Sequence, residues 1–339
     1  MNIAEFVVVI GNPFFPMRLE PASVDMVNSA VKYAVDHKVF PLFYDGCSKN
    51  QIYLPSEAHA RIEYYQKHRE MQIEASKAFI DICEKLDFDF MFFKTFRPFN
   101  YIPDDVDILL SDNVNLKLLV NELKKEGYFI LKVGTPEIVL RKVDGCNYVD
   151  LDVHKRLAVG SLDIFNVKSL WQKNAYDVIK LGDGYQATKL SEDYEVVREA
   201  AYSLLKDFHL SIAGLYLGIN AMINRDLTVI KKIAIEENFS MHLSLYLDLV
   251  YSLACELFES EVKPLLQYKR DETLIYHLCK NLKVPYPYPI PAIACAYLSK
   301  ALLEINRKGN VSVIPQIMKQ PASKGINILL DYVRNLSND

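Results

Sequence analysis

Residues 93–109, FKTFRPFNYIPDDVDIL, decide the fold, because two aspartates open an otherwise apolar run. Successive side chains of a strand point to opposite faces, so Asp105 and Asp107 project side by side while Val106 and Ile108 face the other way. Two adjacent carboxylates repel each other unless a cation lies between them. Magnesium accepts one or two carboxylates and completes its shell with water and phosphate oxygens. The stretch therefore predicts a strand that begins with a divalent-metal site.

A second stretch, residues 148–154 (YVDLDVH), repeats this alternation. Asp150, Asp152 and His154 fall on one face of the predicted strand, opposite its valines and leucine. If this strand lies beside the first, a third carboxylate joins the first pair, which is what two-metal phosphoryl or nucleotidyl transfer needs. Asp152 is the preferred third ligand. Asp150 takes its place if the strand register differs by two residues.

The surrounding pattern predicts an α+β fold. One helix begins at Asn113 and ends near Gly127, and Asp144-Gly145 indicates a tight turn between two strands. The predicted strands are residues 88–93, 106–110, 128–133, 137–143 and 148–154. The expected result is a small mixed, mostly antiparallel sheet with flanking helices.

The chain is predicted to have three parts. Apolar residues recur at helical spacing from Pro21 to about Leu86, which indicates an N-terminal helical segment (residues 1–75) that packs on a sheet domain (residues 76–165). After Asp163 the spacing is helical again, which predicts an α-helical domain at residues 166–339. Its expected helices are residues 191–207, 209–223, 226–236, 239–258, 271–281, 292–306 and 322–336.

Composition excludes several classes of protein. The chain has 339 residues, 50% of them hydrophobic and 24% charged, as expected for a globular protein of two or three domains. A net charge of −4 argues against a surface built for duplex DNA. Six widely spaced cysteines, without zinc-type pairs, indicate reduced thiols in a cytoplasmic protein. The apolar runs at residues 6–10 and 210–222 are too short for a membrane span, so no membrane partner is expected.

The two acidic stretches resemble the nucleotidyltransferase superfamily of DNA polymerase beta type. They are similar in particular to an uncharacterised nucleotidyltransferase family that reads Lys-Gly, then Asp-x-Asp, then carboxylate-x-His. Lys94-Thr95 lies at the superfamily's glycine-serine position, nine residues separate Thr95 from Asp105, and Asp152-Val153-His154 matches the later motif. Thr95 replaces the glycine that lets the family's loop backbone approach a triphosphate. The similarity covers about residues 20–165.

The resemblance implies a metal site of three carboxylates. Asp105 and Asp107 would bind Mg²⁺ or Mn²⁺ together with Asp152, or with Asp150 in the alternative register. Asp152 would also help to deprotonate the attacking hydroxyl.

The resemblance also implies a phosphate site. Lys94, Thr95 and Arg97 would contact the phosphate oxygens of a nucleoside triphosphate, and His154 would orient a metal ligand or bind substrate. From the residues alone, a strand-end lysine, a surface arginine and a structural histidine are the alternatives.

The implied activity is transfer of a nucleoside monophosphate from a triphosphate to a hydroxyl of an acceptor, which is RNA, a protein or a small molecule. The scattered basic pairs Lys124-Lys125, Arg141-Lys142 and Lys155-Arg156 are compatible with RNA, although such pairs are usually ordinary surface. A second hypothesis is a non-catalytic module of the same fold that binds nucleotide, RNA or a protein partner. A third is a coincidental acidic strand in a helical scaffold.

Overall fold

The computed structural model describes residues 6, 14, 23–49, 51–134, 137–159, 162–258, 266, 268, 286–288 and 290–308. Its strands are β1 Phe90–Phe92, β2 Asp105–Leu110, β3 Phe129–Val133, β4 Glu137–Asp144, β5 Asn147–His154, β6 Leu157–Val159, β7 Leu162–Phe165, β8 Tyr176–Gly182, β9 Tyr185–Leu190, β10 His209–Leu210 and β11 Tyr286–Pro287. Its α-helices are α1 Val24–Asp36, α2 Phe40–Lys49, α3 Ser56–Leu86, α4 Leu116–Lys125, α5 Val167–Gln172, α6 Glu192–Tyr202, α7 Ile212–Asn224, α8 Leu227–Glu236, α9 Ser240–Leu257 and α10 Ile290–Lys308. A short π-helix, Ser203–Asp207, continues α6.

Seven strands form the main sheet, in the order β3-β4-β5-β2-β1-β9-β8. The pairs β2–β5 and β1–β9 are parallel, and the other four pairs are antiparallel. Helices flank this sheet and dominate the second half of the chain. The predicted α+β class, with a mixed and mostly antiparallel sheet and a mainly helical C-terminal part, is confirmed.

The hairpin β8–β9 corrects the expectation that the chain is helical after Asp163. Its strands join the main sheet through β1, so the sheet continues past the predicted domain end at residue 165 to Leu190. Asp183 and Gly184 form its turn with positive φ angles, the same Asp-Gly signal that predicted the β4–β5 hairpin. The division into three domains stays a prediction, and the predicted helices at 271–281 and 322–336 lie outside the described residues.

Two hydrophobic cores cover the two faces of the sheet. Val106 and Ile108 of β2 point into a core that includes Phe79 of α3 and Leu119 of α4. Leu109 points the other way, into a core that α6 to α9 share with α1 and α2. The odd-numbered side chains of β2 therefore face the helices of the second half of the chain, because alternate residues of a strand point to opposite faces.

None of the helices within the described ranges is long and apolar enough to cross a membrane. The cysteines that the structure describes, Cys47, Cys83, Cys146, Cys255 and Cys295, are free thiols. Cys279 lies outside the described residues.

Candidate active site

Parallel pairing of β2 with β5 brings the two acidic stretches together. The register sets Asp105 beside Asp150 and Asp107 beside Asp152. His154 follows Asp152 on the same face of β5, since both side chains lie two residues apart in one strand. The sequence-predicted side chains thus share one face, the face that looks toward the C-terminal helices.

Asp107, Asp152 and His154 form the tightest cluster, which we call the metal-ligand group. One ligand atom from each lies within 4.8 Å of the other two. His154 Nε2 is 3.1 Å from Asp152 Oδ2 and 3.8 Å from Asp107 Oδ1. Asp107 and His154 are buried, with 1% and 5% of their surface exposed, and Asp152 is half-buried. Burial makes such close carboxylates costly unless a cation compensates them.

Two polar atoms of this group fit a bound cation. Asp152 Oδ1 and His154 Nε2 are buried and make no hydrogen bond within the described residues. The 3.1 Å approach of Nε2 to Asp152 Oδ2 is therefore a close contact without the direction of a hydrogen bond. An unsatisfied buried polar atom costs about 1–3 kcal/mol. A divalent ion would supply the missing partner, because two carboxylates and an imidazole can serve as its ligands.

Asp105 lies one pleat away, outside the metal-ligand group. Burial raises the pKa of its carboxyl to about 7, and the charge of Asp107 adds to the rise although the Lys94 ammonium opposes it. This is the behaviour of a carboxylate that lacks a sufficient counter-charge. Its predicted share in the metal site stays a prediction.

Asp150 is neutralised by a neighbour on β4. Arg141 donates two hydrogen bonds of 2.7 Å to its carboxylate, and the Arg141 guanidinium lies 3.9 Å from the centre of the Tyr148 ring. Such a two-bond pair occupies both oxygens of Asp150. The structure thus favours Asp152, the preferred residue in the sequence argument, as the carboxylate that remains available.

Lys94 is the lysine that meets the acidic face. Its ammonium lies 3.1 and 3.2 Å from the two carboxylate oxygens of Asp107. Burial alone would lower the pKa of Lys94, but the charges of Asp107 and Asp105 outweigh burial and raise it. Its backbone is left-handed, with φ of 65°.

Thr95 is turned into the protein. Its side chain is fully buried, and its hydroxyl accepts a 2.9 Å hydrogen bond from the amide of Asp107. Its own amide donates to the carbonyl of Phe93 at 2.6 Å. In the structure both groups fasten the loop to the strands, and the predicted contact of Thr95 with a triphosphate stays a prediction.

Arg97 is paired with α6 in the interior of the protein. Its guanidinium donates a 2.9 Å hydrogen bond to Glu199, and only 4% of its side chain is exposed. The carboxylates of Glu199 and Glu195 attract it into the interior next to α6. Arg97 is therefore not a surface arginine, and its predicted phosphate contact stays a prediction.

Comparisons with known proteins add little to this geometry. No family model matches the chain, and no curated protein matches its sequence. The solved structures that match include terminal uridylyl transferase 4 from Trypanosoma brucei with bound UTP. The two chains are 11% identical, the match covers 72% of this chain and 67% of that chain, and the TM-score is 0.24. Neither the fold nor the activity of this chain is inferred from a match at this TM-score.

Three charged residues of α6 behind the loop were missed in the sequence. Glu195 accepts a short hydrogen bond from the Lys94 amide, and it also accepts a 2.7 Å bond from Arg198 Nε. Arg198 Nη2 donates to Glu199 at 3.0 Å. The signal was their spacing, because residues at i, i+3 and i+4 share one helix face, and here that face belongs to a helix that is buried from Tyr194 to Tyr202.

Proposed function

We propose that the chain is a metal-dependent nucleotidyltransferase, which moves a nucleoside monophosphate from a triphosphate to a hydroxyl group. The supporting observation is the parallel β2–β5 register, which sets Asp107 beside Asp152. The unpartnered Asp152 Oδ1 and His154 Nε2 add to that support. Aligned carboxylates of this kind are the usual means of holding metal ions for phosphoryl chemistry.

We assign the roles from charge and reach. Asp107, Asp152 and His154 hold Mg²⁺ or Mn²⁺, and Asp105 takes part in the same acidic face. A bound divalent ion would neutralise the phosphate oxygens during transfer. The carboxylate of Asp152 would accept the proton of the attacking hydroxyl as the hydroxyl oxygen bonds to the α-phosphorus. The bond from that phosphorus to the bridging oxygen then breaks, and pyrophosphate leaves.

The acceptor stays open among RNA, a protein and a small molecule. Each predicted basic pair has a member already paired with an acid: Lys125 with Glu122 at 2.5 Å, Arg141 with Asp150 at 2.7 Å, and Arg156 with Asp163 at 2.6 Å. Ion pairs of this kind reduce the positive charge left for a phosphate backbone. They therefore give no reason to prefer RNA.

A second candidate is a non-catalytic module that binds nucleotide, RNA or a protein partner. The observation in its favour is that the predicted phosphate-binding residues Lys94 and Thr95 have no free backbone amide, because these amides already donate to Glu195 and Phe93. Phosphate sites usually offer free backbone amides. A nucleotide held here would depend on metal and on Lys94, with weaker positioning of its phosphates.

Isothermal titration with ATP, GTP, CTP and UTP, each with Mg²⁺ or Mn²⁺, tests the site. We expect metal-dependent binding in the wild type and its loss in Asp105→Asn/Asp107→Asn. Asp150→Asn is the matched control, since that carboxylate is occupied by Arg141. Absence of binding by every triphosphate would overturn the proposal.

Transfer of label from an α-labelled triphosphate separates the two candidates. Cell extract supplies RNA, proteins and small molecules as acceptors, and Asp107→Asn is the blank. Labelled product that depends on Asp107 supports the enzyme. Metal-dependent nucleotide binding without any labelled product favours the non-catalytic module.

A further inference from the structure

The contact between Lys94 and Asp107 bears on how metal enters the site. Within the described residues, the Lys94 ammonium is the one lysine or arginine group within 4.0 Å of Asp105, Asp107 or Asp152. It faces both oxygens of Asp107, at 3.1 and 3.2 Å. Asp107 belongs to the metal-ligand group, so the lysine lies against a carboxylate that a metal ion would need.

The loop is built so that the ammonium is held there. Lys94 adopts a left-handed backbone, which costs energy for any residue other than glycine. Glu195 stabilises that conformation by accepting a hydrogen bond from the Lys94 amide, and Arg198 in turn donates a hydrogen bond to Glu195. The next residue, Thr95, is tied to β2 because its hydroxyl accepts a hydrogen bond from the Asp107 amide. The backbone is therefore anchored, and the lysine side chain is 30% exposed, so it reaches solvent.

We propose that Lys94 is an exchangeable internal cation, which neutralises Asp107 in the metal-free protein and is displaced when a divalent ion binds Asp107, Asp152 and His154. This inference rests on the metal site of the proposed function and is independent of the transfer reaction. It assigns Lys94 as a positioning residue whose charge sets the metal affinity.

Competition follows from charge and space. The Lys94 ammonium already faces both Asp107 oxygens, so a divalent ion bound there would lie close to it and the two cations would repel each other. Metal binding therefore carries the cost of moving the lysine. A polyphosphate offers the displaced ammonium new oxygens, since lysine is a point charge on a flexible stem. Metal and triphosphate should consequently strengthen each other's binding.

Mn²⁺ binding in the absence of nucleotide, measured by the electron paramagnetic resonance signal of the free ion, tests this inference. We expect Lys94→Met to bind Mn²⁺ about tenfold more tightly than the wild type, because no lysine has to be displaced. Lys94→Arg retains a cation at this position and should keep the weaker, wild-type affinity. Lys94→Gln is a second neutral variant in case the methionine variant does not fold, which thermal unfolding would reveal.

Lys132→Met is the matched control. The Lys132 side chain is 61% exposed, and its ammonium pairs with Glu137 at 2.6 Å. The substitution therefore removes one positive charge near the sheet without vacating a metal ligand. We expect its Mn²⁺ affinity to stay within about twofold of wild type. Equal tightening by Lys132→Met and Lys94→Met would overturn the exchange and indicate general electrostatics.

The outcomes also separate this inference from the proposed function. Equal or weaker Mn²⁺ binding by the neutral Lys94 variants overturns the exchange while the metal site stands. Absence of Mn²⁺ binding in every variant overturns the metal site, and the exchange fails with it. Tighter Mn²⁺ binding by the neutral Lys94 variants supports the exchange. Loss of Mn²⁺ binding in His154→Ala or Asp107→Asn supports the ligand assignment.

Discussion

Two groups of acidic side chains meet at Lys94 and are built in opposite ways. The α6 ion network comprises Arg97, Glu195, Arg198 and Glu199, and it contains two cations for two anions. The strand carboxylates are Asp105, Asp107 and Asp152, and among the described residues the Lys94 ammonium is their lysine or arginine partner. Lys94 touches both groups, through its amide to Glu195 and its ammonium to Asp107.

The pKa values of the two groups of acids shift in opposite directions. Burial would raise the pKa of Glu199, but Arg97 and Arg198 outweigh it and lower the pKa to about 2. Burial and Asp107 raise the pKa of Asp105 to about 7. Buried acids that carry their own counter-charges serve the fold, whereas acids left short of counter-charge indicate a site for an external cation. The comparison therefore separates the paired charges of the α6 ion network from the strand carboxylates, which belong to the proposed site.

Breaking the α6 ion network should have the largest effect on stability. Arg198→Met removes a guanidinium that is 1% exposed and leaves Glu195 and Glu199 buried with Arg97 as their shared cation. We expect a loss of about 3–5 kcal/mol in the free energy of unfolding, measured by urea titration. Arg141→Met is the control, because its partly exposed pair with Asp150 should contribute about 1 kcal/mol or less. Equal losses in both variants would show that the network has no special weight.

Acid should act on the same network through Glu199. Its pKa is lower in the folded state than in the unfolded chain, so its contribution is complete above about pH 4.5 and is lost as the pH falls toward 2. Between pH 5 and 3 the wild type should lose about 1–3 kcal/mol more unfolding free energy than Glu199→Gln. Urea titrations at each pH measure this difference. Parallel pH profiles would contradict the ion pairing of Glu199.

Removing charge from the strand carboxylates should have a smaller effect of opposite sign. Asp105→Asn relieves repulsion from Asp107, so in EDTA at pH 8 we expect it to raise the free energy of unfolding by about 1 kcal/mol. Asp104→Asn is the control, since that exposed carboxylate pairs with Lys38 and its loss should be neutral or slightly destabilising. A destabilised Asp105→Asn would mean that the strand carboxylates are already compensated.

Local pattern was enough for part of the fold. Alternation predicted β2 and β5 and the shared face of Asp105 and Asp107, because a strand's side chains alternate regardless of its neighbours. The Asp144-Gly145 turn predicted the β4–β5 hairpin for the same local reason. The β8–β9 hairpin carried an equal signal at Asp183-Gly184, and the prediction that the chain is helical there was wrong. Apart from the short helix α5, the helical spacing of apolar residues holds only from α6, which begins after this hairpin.

The sequence by itself determined which side chains share a face and which residue types can hold a metal, since these depend on strand geometry and on charge. Only the tertiary structure decided their partners. Parallel pairing of β2 with β5 sets Asp107 beside Asp152, and Arg141 on β4 removes Asp150 from the choice. Packing of α6 draws Arg97 to Glu199, 102 residues away. Such choices depend on elements that are distant in the chain, because desolvated charges must find counter-charges wherever the fold brings them.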